Sequence, residues 1–120
     1  MSFEKKKGIR RLTSSIRNSL EGLADAVLTE DAFRQLLVIN SILLIVTFLL
    51  DITKMERVLL ISSCFLLLVV ELLNTAIESV VDRISLDIHP LSKRAKDLGG
   101  AAQLVTVMMT ITLWLVVLFG

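Results

Sequence analysis

Three apolar stretches dominate the chain. The first runs from Leu36 to Leu50, with Asn40, Ser41 and Thr47 as its only polar members, and extends to about Ile52. The second opens at Val58, stays apolar to Val70 and continues as a helical pattern to about Val81. The third, Leu98 to Gly120, carries no charge. A helix that crosses a bilayer needs about 20 residues, within a range of roughly 17–25. The third stretch meets that length outright. The second meets it if Glu71, Asn74 and Glu78 are accepted within the membrane or just beyond it. The first is short and relies on flanking residues such as Arg34 snorkelling outward. The pattern therefore predicts spans at about 35–52, 58–82 and 98–119.

A fourth element precedes them. Ile9, Leu12, Ile16, Leu20, Leu23 and Val27 recur at steps of three and four, which puts them on one helical face. Arg10, Arg11, Arg17, Asn18, Glu21 and Asp25 fall elsewhere. This predicts an amphipathic helix over about 8–29, lying in the membrane interface with its basic end drawn to anionic lipid. The expected fold is an all-α membrane protein: three transmembrane helices preceded by an N-terminal amphipathic surface helix, in a single membrane domain over 1–120. Pro90, in Asp87-Ile88-His89-Pro90-Leu91, marks the one clear loop.

Composition agrees. Hydrophobic residues make up 54% of the 120, above the roughly 45–50% of ordinary globular domains. Disorder is excluded by the wealth of Leu, Val and Ile. One cysteine, Cys64, excludes a disulfide scaffold. Together with the single His89 it also excludes a four-ligand zinc site. A net charge of +1 gives no argument for nucleic acid. Positive charges set the orientation. Seven precede the first span, two (Lys54 and Arg57) lie between spans one and two, and four (Arg83, Lys93, Arg94 and Lys96) lie between spans two and three. The N-terminus and the second link are expected in the cytoplasm. The basic N-terminus does not read as a signal peptide, since no early apolar core follows it.

The chemistry concentrates in Glu71-Leu-Leu-Asn74-Thr-Ala-Ile-Glu78-Ser-Val-Val-Asp82. On a helix, Asn74 lies about 60° from Glu71, and Glu78 and Asp82 each about 20° from it on opposite sides. Three acids and an amide share one stripe. A carboxylate facing lipid costs a few kcal/mol or more, so the stripe must face protein, water or a cation. Oxygen ligands favour a hard cation, and Mg²⁺ characteristically links one or two carboxylates to nucleotide phosphates. Glu30 and Asp31, just before the first span, are expected on the same side, where Glu30 can share a metal with Glu78. Glu71, deeper among apolar neighbours, suits a general base on a lipid hydroxyl. A second element, Ser92-Lys-Arg-Ala-Lys96-Asp97-Leu-Gly99-Gly100, places three cations within four residues. These offset phosphate charge or anchor the loop at the membrane, and the glycines permit close backbone approach or close helix packing. No Gly-x-x-x-x-Gly-Lys-Ser/Thr loop and no protein-kinase signature is present.

These residues resemble the prokaryotic integral-membrane diacylglycerol kinases. The resemblance rests on Glu71 to Arg83, on Arg94-Ala-Lys-Asp97-Leu-Gly-Gly-Ala-Ala102, on Glu30-Asp-Ala-Phe-Arg-Gln35 and on Arg57-Val-Leu-Leu-Ile-Ser-Ser63. It covers the chain from about Arg11 to Gly120. It implies a homotrimer in a bacterial inner membrane, with active sites shared between subunits, that uses Mg²⁺ and ATP to phosphorylate diacylglycerol to phosphatidic acid. It implies Glu71 as general base and Glu30 and Glu78 as metal ligands. Arg11, Glu30, Asn74, Glu78, Asp87, His89, Lys96 and Asp97 would bind ATP, with Asp87 standing where a Glu is usual. Arg11, Phe33, Arg34, Gln35, Arg57, Glu71, Gly100 and Trp114 would line the lipid side. The chain departs from the family pattern at Asn18, Leu20, Glu21 and Leu36. An undecaprenol kinase of the same fold shares the Asn-Thr-Ala-Ile-Glu core and remains an alternative, as does a non-enzymatic membrane scaffold or channel subunit.

Overall fold

A computed structural model describes residues 7–120; Lys5 and Lys6 of the basic N-terminal run lie outside the described residues. The described chain folds as four helices: α1 (Ile9–Thr29), α2 (Asp31–Leu49), α3 (Lys54–Ile84) and α4 (Pro90–Phe119). The last three are long and apolar enough to cross a membrane. This is a multi-pass membrane protein with one further helix in front.

Helix α1 keeps its apolar face outward. That face is 84% exposed at Ile9 and 38% at Val27, while Ala26, a quarter-turn away, is buried. The helix therefore approaches the bundle only at its C-terminal end. It turns into α2 through one extended residue, Glu30, whose N–H still donates to Ala26 O (3.0 Å). Arg34 fastens this corner. Its guanidinium donates to the carbonyls of Val27 (3.0 Å) and Leu28 (2.9 Å) and pairs with Asp31. These are carbonyls that α1 leaves unpaired at its end. Arg34 thus serves a helix terminus, where the sequence had suggested snorkelling away from the span.

The other end is closed the same way. Thr53 caps α3 in a reciprocal box: its hydroxyl accepts from the Glu56 N–H (3.1 Å), and the Glu56 carboxylate accepts from the Thr53 N–H (3.0 Å). Those bonds hold the exposed Glu56 carboxyl below the usual carboxylate range, the backbone bond contributing most. Arg57 reaches back to the end of α2, donating to the carbonyls of Thr47, Leu50 (3.3 Å) and Ile52 (3.5 Å) with its charge over the Phe48 ring. His89 caps α4, its Nδ1 accepting from the Leu91 N–H (3.1 Å), and Pro90 takes the first helical position.

Helix ends follow these caps and not the limits of the apolar stretches. Helix α2 begins at Asp31 and stops at Leu49, and α4 begins well ahead of Leu98. The 31 residues of α3 make a rod of about 46 Å, against a hydrocarbon core of about 30 Å. One end must project from the bilayer.

The core is a narrow seam. Phe33, Asn40 and Thr47 recur every seven residues on α2; Leu60, Cys64, Leu67 and Glu71 alternate steps of four and three on α3; Gly99, Thr106 and Thr110 lie on α4. Large apolar residues such as Val38, Phe65, Val69 and Met108 point outward. That inversion suits lipid, where apolar side chains gain nothing by leaving the surface and small residues let helices approach. The buried hydroxyls of Thr47, Ser63, Thr106 and Thr110 donate to carbonyls of their own helices at 2.7–3.0 Å. Asn40 differs: both ends of its amide are buried with no partner among the described residues. Replacing Thr53 with Ala is expected to cost about 1 kcal/mol of stability, measured as a lower unfolding midpoint in detergent.

Candidate functional site

The acidic stripe of α3 spans the boundary between the seam and the open end of the bundle. Glu71 is buried, with 8% of its surface exposed, whereas Glu78 and Asp82 are exposed. The Thr75 hydroxyl lies within hydrogen-bonding reach of Glu71, and the carboxylates of Glu78 and Glu30 lie within Coulombic reach. Glu30 gets there because the corner between α1 and α2 sits at the same end of the bundle as the C-terminal half of α3. The fold thus gathers three carboxylates contributed from two places far apart in the chain.

Asn74 ties this group to α4. Its Nδ2 donates to Glu78 Oε1 (3.4 Å), while its Oδ1 is buried without a partner. A methyl group added to Gly99 would run into that oxygen. Gly99 is buried and Gly100 faces open space. Of the two readings of this glycine pair, close packing applies to Gly99 alone.

Beyond Asn74 a cleft of about 360 Å³ opens between the end of α3 and the start of α4. It is lined by Asp82, Ser85, Asp87, His89, Lys96 and Asp97 among others. Lys96 pairs with Asp82 across the two helices (2.6 Å), and Lys93 pairs with Asp97 one turn along α4 (2.6 Å). The hydrogen bond to Asp82 raises the pKa of the Lys96 ammonium, which lies ahead of the apolar stretch beginning at Leu98. The cleft therefore holds a fixed cation beside acids and hydroxyls.

Among the described residues no three His, Cys, Asp or Glu side chains come close enough to cage a metal ion. A pair of carboxylates near an open cleft is compatible with the way Mg²⁺ is held, by one or two protein oxygens with the rest supplied by water and substrate oxygens.

The remaining expected residues are spread more widely. Asp87, His89, Lys96 and Asp97 share the cleft, and Glu71, Asn74, Glu78 and Glu30 cluster beside it. Phe33 is buried inside the seam, and Gln35 is exposed near the same end. Arg57 lies about 21 Å from Glu71 along α3, and Trp114 about 21 Å from Gly100 along α4, so both sit toward the far end of the spans. Arg11 is exposed near the start of α1, about 28 Å along that helix from Glu30. The part His89 plays as a helix cap had a signal in the sequence, the Pro that follows it at the first helical position. Gln103, whose Oε1 is buried without a partner, had no local signal.

An all-helical membrane protein with a buried carboxylate, two further acids and a cation-bearing cleft at one end is the class these features define. The chain belongs to the prokaryotic diacylglycerol kinase family, which matches it over residues 17–118. It is similar to a Pseudomonas aeruginosa protein named diacylglycerol kinase, with 48% identity over 98% of this chain and 96% of that one. Proteins of the same name from Escherichia coli and Haemophilus influenzae are 42% and 43% identical, each over more than nine-tenths of both chains.

Enlarging Gly99 to Leu is expected to drive α4 off Asn74 and to cost about 1–3 kcal/mol. Gly100→Leu is expected to leave stability unchanged. Unfolding in detergent, scored independently of activity, checks the pair.

Proposed function

We propose that this protein transfers the γ-phosphoryl group of ATP to the free hydroxyl of diacylglycerol, giving phosphatidic acid and ADP. One observation carries the reading: in a chain of this family, the buried Glu71 stands one turn from Asn74, which bonds Glu78, at the end of the bundle where the cleft with Lys96 opens. The lipid hydroxyl oxygen attacks the γ-phosphorus and forms the new P–O bond. The bond from that phosphorus to the β–γ bridging oxygen breaks, and ADP leaves with that electron pair. Glu71 takes the hydroxyl proton. Its position inside the seam, below the exposed acids, suits a hydroxyl presented from the membrane while phosphate approaches from the water.

Phosphoryl transfer asks mainly for positioning and charge stabilisation. Lys96 exchanges the Asp82 carboxylate for a phosphate. Asp97, Asp87, His89 and Asn74 order the nucleotide around it. Glu30 and Glu78 would hold Mg²⁺, which offsets phosphate charge when bound. Arg34, Gln35 and Gly100 meet the lipid substrate at the cleft end of the bundle, with Phe33 backing them from inside the seam, and Arg57 and Trp114 line the lipid side toward the far end. The membrane is a bacterial inner membrane, with the N-terminus, the cleft and the loop between α3 and α4 in the cytoplasm, as the distribution of Lys and Arg favours. The assembly is a homotrimer with shared sites. The distance between Arg11 and Glu30 within one chain supports sharing, because an Arg11 at the nucleotide must come from a neighbour.

A coupled assay for ADP release with purified protein tests the activity. ATP consumption should rise on adding diacylglycerol and stay low with undecaprenol, and chelation of divalent cations should abolish it. The reverse lipid preference would make the protein an undecaprenol kinase. Glu71→Gln should remain folded with turnover lower by about 10²–10⁴-fold, the usual worth of a general base. Turnover like the wild type in that variant would remove Glu71 from the role.

A further inference from the structure

Helix α4 meets α3 along a face that one contact fixes in register. Gly99 lies against Asn74, so closely that no side chain fits between them. From that point the helices run antiparallel. Four residues on along α4 is Gln103, about 6 Å away, and three residues back along α3 is Glu71, about 4.5 Å away. The two therefore stand at the same level. The α4 face continues through Thr106 and Thr110, both buried, and the α3 face continues through Leu67 and Cys64, also buried. Steps of four, three and four on one helix answer steps of three, four and three on the other. Gln103 is the α4 residue that this register sets opposite Glu71.

A second observation is independent of register. The side-chain oxygen of Gln103 is buried and has no hydrogen-bond partner among the described residues. The threonines on the same face are satisfied by carbonyls of their own helix. An unpaired amide oxygen in a membrane interior carries its full desolvation cost. A polar group persists in such a place when it has a partner during function.

We propose that Gln103 is a positioning residue for Glu71 that holds the carboxyl group through the proton transfer. This rests on the reading of Glu71 as the general base. The physical reason lies in what an amide offers. An ionised carboxylate only accepts hydrogen bonds, and once it has taken the hydroxyl proton it also donates one. A primary amide presents N–H to the first form and C=O to the second. The exchange needs only rotation about the last bond of the side chain, whose torsional preference is broad. A hydroxyl could follow the same change, but Thr106 and Thr110 are engaged with their own backbone. Gln103 keeps Glu71 in one orientation on both sides of the chemical step.

The test compares purified Gln103→Met, Thr106→Val and Glu71→Gln with the parent. Met matches the length of Gln without the amide, and Gln103→Leu serves as a second variant if the Met protein does not fold. The expected result for Gln103→Met is a kcat lower by about tenfold or more, with the KM for ATP unchanged and the unfolding midpoint no lower than the parent's, while Thr106→Val keeps the parent kcat. Gln103→Asn, which retains the amide one methylene short, should recover part of the loss. A parent-like kcat in Gln103→Met with Glu71→Gln inactive would overturn the inference and leave the base in place. Equal losses in Gln103→Met and Thr106→Val, tracking a lowered unfolding midpoint, would also overturn it, since they would show a packing role only. Turnover retained in Glu71→Gln would instead remove the base itself, and the inference with it.

Discussion

A carboxylate on a membrane-spanning helix cannot face lipid without costing several kcal/mol, and one fully withdrawn into water has no contact with the membrane interior. Glu71 occupies the position between those limits. It is nearly buried, yet the next acids along its stripe, Glu78 and Asp82, are exposed. The rest of the bundle is arranged to allow this. Helix α4 comes close enough to enclose Glu71 because Gly99 has no side chain to hold it off Asn74. Helix α2 enters beside α3 because Glu30 breaks the chain for one residue and Arg34 secures the break.

The economy of the seam follows from its solvent. In water, the large apolar residues would be collected inside. Here Val38, Phe65, Val69 and Met108 face out, and the interior is given to Thr47, Ser63, Cys64, Gly99, Thr106 and Thr110. Small side chains let the backbones approach, and their hydroxyls are satisfied within each helix. Four helices take up almost all of the described residues, so the cleft is not carried by a separate domain among them. The cleft is made from two helix ends and the short loop between them. Of its two lysines, Lys96 rests on the carboxylate of Asp82 across the helices and Lys93 on Asp97 one turn along α4.

Much of this was legible from residue order. The three long helices and the amphipathic first helix follow from hydrophobic spacing, and each is present. The shared stripe of Glu71, Asn74 and Glu78 follows from helical periodicity alone. Other features were not legible, for identifiable reasons. Arg34 read as a snorkelling flank and Arg57 as a charge of the first link because their charge is visible in sequence, while the carbonyls they bind become available only once a helix has ended nearby. His89 read as a loop residue, yet it caps α4. Helix limits were displaced from the apolar limits because capping bonds, not hydropathy, decide where a helix starts.

By itself, then, the sequence determined what depends on near neighbours: which segments suit lipid, which face of each helix is polar, and which acids share a stripe. These are properties of single helices, whose periodicity is the same in any surroundings. The tertiary structure decided what depends on the relation between helices. It brought Glu30 to Glu71, chose Gly99 over Gly100 as the point of contact, and set Gln103 level with the buried carboxylate. The physical reason is register. How two rods line up depends on their caps, on the corner between them and on the closest contact they can make, and none of these is a periodic property of either rod.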